Sequence, residues 1–178
     1  DDCDPCDPWS LIKEIAAKDN SVVGIRLSRN FGQHAAIIAG LTQSVGDWIV
    51  VMDCDLQDQP EEISKLYNAA QSETDIVFAQ RIDRQDTNFK KLSSIIFYKI
   101  LGYLTDTKLD ASVANFGIYH RKVIDTVLSM KEFHKVFPLM VQWIGFSSIS
   151  IPVTHAQRKT GGTSYTFRTL LKLSADII

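Results

Sequence analysis

From Trp48 to Met52 the chain sets five apolar residues in a row with no polar residue between them. A short run without alternation is the pattern of a strand covered on both faces, as in the centre of a mostly parallel sheet. Around it, helical and strand periods alternate. Trp9 to Lys18 carries apolar residues at Trp9, Ile12 and Ala16 and at Leu11 and Ile15, a spacing that predicts a helix with one buried face. Ser21 to Leu27 is rich in β-branched residues and predicts a strand, and His34 to Val45 repeats apolar residues at Ile37, Ile38, Leu41 and Val45 before Gly46 stops the helix. Pro60-Glu61-Glu62 opens another helix with a fixed φ and two acids at the positive end of its dipole, and Asp75 to Ala79 reads as a further short buried strand. Beyond Gln80 the pattern predicts a long helix from Phe89 to Leu104, a strand near Phe116 to Tyr119, a helix from Lys122 and a strand from Ile149 to Val153.

Alternating strands and helices make this an α/β chain with a mostly parallel central sheet flanked by helices. Right-handed crossovers put ligands outside the carboxyl ends of such strands, so the residues just after Leu27, Met52 and Ala79 are expected to share one rim. At 178 residues the chain is long enough for one core and too short for two typical domains, so residues 1–178 form a single domain. Its apolar runs fall well short of the roughly 18 residues that a membrane span requires. The chain opens on Asp1-Asp2 without a Met or a signal-peptide pattern, which reads as a piece of something longer.

A net charge of -2 hides an uneven distribution. Asp1, Asp2, Asp4 and Asp7 crowd the start, whereas no acid lies between Glu132 and Asp176, a stretch that carries Lys135, Arg158, Lys159, Arg168 and Lys172. An anionic partner would meet that later part, although a merely solvated basic face gives the same pattern. Three cysteines cannot all pair, and Cys54 directly follows a strand, which suits a reduced, cytoplasmic setting. Cys3-Asp4-Pro5-Cys6 has zinc-ligand spacing but no second ligand pair follows it.

The chemistry concentrates at Asp53-Cys54-Asp55-Leu56-Gln57, immediately after the unbroken apolar strand. Two carboxylates leaving a sheet edge together can share a divalent cation through oxygen ligands. The plainer reading, an acid capping the next helix, suits Asp58 ahead of Pro60 and Glu61 but not Asp53, which lies too early. A helix-loop-helix calcium loop counted from Asp53 would need Gly at position 58 and Glu at position 64, where Asp58 and Ser64 stand. A phosphohydrolase with an aspartyl nucleophile also sets D-x-D after a strand, but follows it with Thr or Val where this chain has Gln57.

The run Asp53-Cys54-Asp55-Leu56-Gln57-Asp58-Gln59-Pro60-Glu61 resembles the D-x-D-L-Q-x-x-P-E signature of family 2 glycosyltransferases that act on polyprenyl phosphates, the branch of dolichol-phosphate mannose synthases and bactoprenol glucosyltransferases. Further segments agree in order: Arg26 to Gly32, Asn115-Phe116-Gly117 running into Arg121-Lys122-Val123, Trp143-Ile144-Gly145-Phe146, and Arg158 with Gly161, Thr163 and Tyr165. Together they cover nearly the whole chain.

The resemblance implies a GT-A, nucleotide-diphospho-sugar transferase fold whose N-terminal strand is missing here. Residues 1 to about 80 would form the nucleotide-sugar half, and about 81 to 178 the acceptor half with a C-terminal amphipathic helix. It also implies that Asp53, Asp55 and Gln57 hold Mg2+ or Mn2+ on the diphosphate of a UDP- or GDP-sugar, with Asp55 and Asp53 the catalytic carboxylates. Asp1 and Asp2 stand where the family's nucleoside-contacting pair belongs, although Cys3-Asp4-Pro5-Cys6-Asp7 departs from the usual Gly- and Ser-rich continuation. Arg29, Asn30 and Gly32 precede a helix start, which suits donor binding there; a turn that only packs the helix explains them as well. His34 reads as a first-turn surface residue.

In this branch, basic residues at positions resembling Arg81, Lys91 and Arg158 bind the acceptor phosphate. Asn115 stands where many relatives carry an Asp credited with general-base work, and an amide cannot accept that proton. The substitution favours a phosphate acceptor over a sugar hydroxyl. Thr163 to Ile178 sets Phe167, Leu170, Leu171 and Ile178 against Arg168, Lys172 and Asp176, as in an amphipathic helix on a membrane surface or one packed on the domain, and the resemblance favours the membrane surface. The combined expectation is an inverting, metal-dependent transfer of a hexose to polyprenyl phosphate at the cytoplasmic face of a membrane, with no nucleic-acid partner. A polysaccharide glycosyltransferase with a saccharide acceptor, an aspartyl phosphohydrolase and an inactive binding module are the alternatives.

Overall fold

A computed structural model describes residues 1–3, 7–81, 113–132, 136–154 and 156. Its sheet has four strands, β1 (Trp48–Val51), β2 (Ile76–Arg81), β3 (Val113–His120) and β4 (Ser148–Val153), in the order β1-β3-β2-β4. β3 runs antiparallel to both β1 and β2, while β2 and β4 are parallel. Three of the four strands therefore point the same way, as the apolar pattern predicts, but β3 is inserted between β1 and β2 and makes two of the three ladders antiparallel. The insertion puts the start of β3 at the same rim as the ends of β1, β2 and β4.

Helices cover both faces. On one, Ile49, Val51, Ile76, Phe78 and Tyr119 pack against Leu41 of α2 (Gln33–Gln43), Val123, Ile124 and Val127 of α4 (Arg121–Ser129) and Phe137, Met140 and Val141 of α5 (Phe137–Trp143). On the other, Val77, Ala79, Phe116, Ile118 and Val153 pack against Leu66 and Ala70 of α3 (Ile63–Ala70), and Trp48 and Val50 lean on this second cluster. β1 is thus covered on both sides, which is why it shows no polar alternation. Each fully buried aliphatic side chain contributes about 1.5–3 kcal/mol. Among the described residues no helix is long and apolar enough to cross a membrane.

Several expectations need correction. Ser21 to Leu27 is not a strand of this sheet. The Asp1 amino group donates to Ile25 O at 2.8 Å and Leu27 N–H donates to Asp1 O at 3.0 Å, a single parallel pair around Arg26 with no ladder beyond it among the described residues. Gly24 interrupts the segment, and its bare Cα lets α1 (Trp9–Lys18) sit close: a Cβ there would lie 2.7 Å from Ile12. α1 itself buries no residue fully. Val45 lies beyond the end of α2 and is 95% exposed, because Ser44 ends the helix first. Pro60–Glu62 forms a 3-10 turn that leads into α3. α5, which has Pro138 in its first turn, was not legible from periodicity. The predicted helices Phe89–Leu104 and Thr163–Ile178, and Asp4, Pro5 and Cys6 of the C-x-x-C segment, lie outside the described residues.

Candidate active site

The loop from Asp53 to Asp58 leaves the carboxyl end of β1 and folds back on itself. Asp58 is 3% exposed and its Oδ2 accepts a 3.3 Å hydrogen bond from Asp53 N–H. It does not cap the helix as the sequence suggested: the turn at Pro60 is preceded by Gln59, with no side-chain cap. A buried acceptor is of more use inside a six-residue loop than at an exposed helix start, because it ties the loop's two ends together. Within the loop, Asp55 Oδ1 accepts from Gln57 N–H at 3.1 Å. Between them Leu56 has φ 63° and is 70% exposed. A left-handed conformation costs an L-residue about 1–2 kcal/mol, and such strain recurs where a loop must hold functional groups in one arrangement.

The sheet register brings Asn115 to this loop. Val51 pairs with Gly117, so the same register carried two residues further sets Asp53 opposite Asn115. Asn115 Nδ2 lies 3.5 Å from Asp53 Oδ1, and Gln33 Nε2 donates to that oxygen at 2.7 Å. Gln33 is the first residue of α2. It is absent from the residues that the sequence singled out; the available signal was an amide at the first helical position directly after Arg29-Asn30-Phe31-Gly32.

The end of β4 reaches the same rim. Ala156 N–H donates to Gln57 O at 3.0 Å, and Gln57 Nε2 lies 3.5 Å from Ala156 O. Lys65 Nζ bonds Pro152 O at 2.5 Å and sits 3.5 Å from Glu62 Oε2. Hydrogen bonding to Thr154, with Lys65 nearby, holds the Glu62 carboxyl below the usual carboxylate range. The 3-10 turn and α3 thus clamp the β4 exit beside the aspartate loop.

The other candidates have varied surroundings. Asn30 Oδ1 accepts from Gly32 N–H at 3.0 Å, forming a turn, and Gly32 has φ 91° at the N-cap of α2, with open space where a Cβ would project. The Arg29 guanidinium stacks 4.6 Å from the Phe31 ring centre. Asp1 Oδ2 is 3.4 Å from Arg26 Nε, and Asp1 lines an open groove of about 340 Å³ with Ile12, Ile25, Leu27, Ala36 and Gly40. Asp2 is half-buried. His34 is not a surface residue: it is half-buried with its Nδ1 lacking a hydrogen-bond partner among the described residues. Burial lowers its pKa and the charge of Asp53 opposes that shift. The Arg81 backbone ends β2, paired with Val153, at the expected rim. Lys91 and Arg158 lie outside the described residues, although Ala156 is only two positions before Arg158.

Among the described residues no group of three or more His, Cys, Asp or Glu side chains could hold a metal ion. The loop offers two carboxylates, Asp53 and Asp55, the number that a cation completing its shell with substrate phosphates and water, such as Mg2+, would take. The held carboxylate of Asp53 is consistent with that donor set. Arg121 and Lys122, which the sequence had grouped with Asn115, have structural partners. Arg121 Nη2 donates to Gly46 O at 2.8 Å, and Lys122 Nζ pairs with Asp75 Oδ1 at 2.6 Å.

Comparison of the sequence with known proteins identifies a family. Three similar proteins are undecaprenyl-phosphate 4-deoxy-4-formamido-L-arabinose transferases. That of Erwinia tasmaniensis is 33% identical over 172 residues, that of Photorhabdus laumondii 34% over 172, and that of Proteus mirabilis 35% over 173. Each alignment covers 94% of this chain and 52% of the relative, so the chain spans about half the length of these proteins. The mixed sheet flanked by helices agrees with the GT-A fold. Residues 1–128 match the profile of Glycosyl transferase family 2, and the chain belongs to that family.

Proposed function

We propose that this chain is the donor-binding and transfer domain of an inverting, metal-dependent glycosyltransferase that passes one sugar to a polyprenyl phosphate. The observation that carries the reading is the meeting, at one rim, of Asp53, Asp55 and Gln57 with Asn115 and with the β4 exit at Ala156. The relatives' names specify undecaprenyl phosphate and a 4-deoxy-4-formamido-L-arabinosyl group. The donor class to be tested therefore includes modified pentoses as well as hexoses, on UDP or GDP.

In the transfer, an oxygen of the acceptor phosphate forms a bond to the sugar's anomeric carbon as the bond from that carbon to the donor diphosphate breaks. The nucleoside diphosphate departs with the electron pair, and one displacement inverts the configuration. A phosphate is already ionised near neutral pH, so it needs positioning more than a base. Asn115 is suited to that arrangement, since its amide donates toward Asp53 and takes no proton. Asp53, Asp55 and Gln57 would hold Mg2+ or Mn2+, which when bound neutralises the charge growing on the leaving diphosphate. Asp1, Asp2, Arg29, Asn30 and Gly32 serve the nucleotide side. Arg81, Lys91 and Arg158 serve the acceptor phosphate, and Thr163 to Ile178 brings the site to a membrane surface.

The test uses the full-length protein with UDP- and GDP-sugars, polyprenyl phosphate or a saccharide as acceptor, and Mn2+ or a chelator. Cation-dependent transfer to polyprenyl phosphate, lost in a folded Asp55→Asn variant, is the expected result. Transfer to saccharides alone, or wild-type turnover by Asp55→Asn, would refute the reading; no transfer to any acceptor would identify a binding module.

A further inference from the structure

Asp53 is held more firmly than a carboxylate at the end of a strand has to be. Its Oδ1 receives Gln33 Nε2 at 2.7 Å and faces Asn115 Nδ2 at 3.5 Å, while its own backbone N–H is tied to Asp58. An ionised carboxylate only accepts hydrogen bonds, so the amide nitrogens of Gln33 and Asn115, not their oxygens, must face it. With Oδ1 engaged by amide donors, Oδ2 is the oxygen of Asp53 that would be offered to a cation. Gln33 holds this position through a chain of local structure. The Asn30 side chain bonds Gly32 N–H, Gly32 takes φ 91°, and that turn starts α2 with Gln33 as its first residue. The Gln33 side chain is exposed and reaches 20 positions along the sequence to one acceptor, so packing does not account for its placement.

We propose that Gln33 is a positioning residue for the metal-binding carboxylate. The turn Arg29-Asn30-Phe31-Gly32 then serves to deliver the Gln33 amide to Asp53 Oδ1, with Asn115 as a second, weaker donor from β3. The inference rests on the metal reading given under Proposed function. It adds that donor-side affinity depends on an uncharged group that touches neither the cation nor the sugar. Groups that orient a metal ligand typically change metal affinity or activity by about 10–100-fold when removed.

The experiment measures Mn2+ binding to the full-length protein by electron paramagnetic resonance in the presence of UDP and of GDP. Turnover is followed alongside, for wild type, Gln33→Ala, Gln33→Met, Asn115→Ala and Asp55→Asn. Gln33→Met keeps the side chain's length and removes the donor. Both Gln33 variants should bind Mn2+ with the preferred nucleotide at least about 10-fold more weakly, with the polyprenyl-phosphate KM within twofold of wild type, and Asn115→Ala should lose less. If wild type binds Mn2+ and Asp55→Asn does not, but Gln33→Met matches wild type, the positioning role is overturned while the metal site stands. If wild type binds no Mn2+ with either nucleotide, the metal reading falls and this inference with it. A Gln33→Met variant that recovers what Gln33→Ala loses would assign the side chain a packing role and also overturn it.

Discussion

Replacing Asp58 by Ala tests the aspartate loop most directly. The Asp58 carboxylate is 3% exposed and accepts the Asp53 backbone N–H at 3.3 Å, so it joins the start of the loop to its end. Its removal deletes a hydrogen bond to a charged acceptor and leaves a half-buried N–H without that partner, a loss of about 2 kcal/mol. For a domain of this size that lowers Tm by about 4–8 °C. The same free energy, spent on re-forming the loop around a cation, would weaken Mn2+ binding by up to about 30-fold. Asp58→Asn keeps an oxygen acceptor of the same shape and should recover at least half of both losses. Differential scanning calorimetry and Mn2+ titration of the full-length protein with nucleoside diphosphate measure the two effects. An Asp58→Ala protein within 1 °C and twofold of wild type would mean that the carboxylate does not clamp the loop.

Three further outcomes follow from other parts of the fold. Gly32→Ala meets no steric obstacle but must keep φ 91° and ψ 164°, a conformation essentially reserved for Gly, so it should cost about 1–3 kcal/mol in urea unfolding and weaken Mn2+ binding by displacing Gln33. Phe116→Ala removes a fully buried ring between β3 and α3 and should destabilise by about 3–5 kcal/mol, measured by the same unfolding experiment. Bonding to Lys122 and Ser147 lowers the Asp75 pKa, so its stabilising effect is present above the ordinary aspartate range and is lost as pH falls through the lowered value. Asp75→Asn should therefore flatten the acid limb of the stability profile, and an unchanged limb would discount the pair.

Much of the domain is legible along the chain because local pattern and tertiary role coincide. The unbroken apolar run at Trp48 to Val51 is a strand with a core on each face, and the aspartates that follow it emerge at the rim where ligands of α/β sheets belong. α1, the start of α4 and β4 fall within a residue or so of the periodic pattern, although α1 buries no residue fully and Leu11, Ile15 and Ile149 stay exposed.

What the sequence could not convey depends on contacts between distant segments. The direction and place of β3 are set by pairing with β1 and β2 across the fold, so nothing in Val113 to His120 alone says that it runs against its neighbours. Ser21 to Leu27 has strand composition, but a strand also requires a partner along its length, and the described residues provide one pair, at Asp1. Asp58 looks like a helix cap because capping is a local pattern, whereas it accepts the backbone N–H of Asp53. Gln33 and Asn115 lie 20 and 62 positions from Asp53 and meet it only after the sheet and α2 have packed. The sequence by itself singled out the candidate side chains, through residue type and spacing on one short loop. Only the tertiary structure decided how that chemistry is held, because hydrogen bonds between remote segments have no period to read.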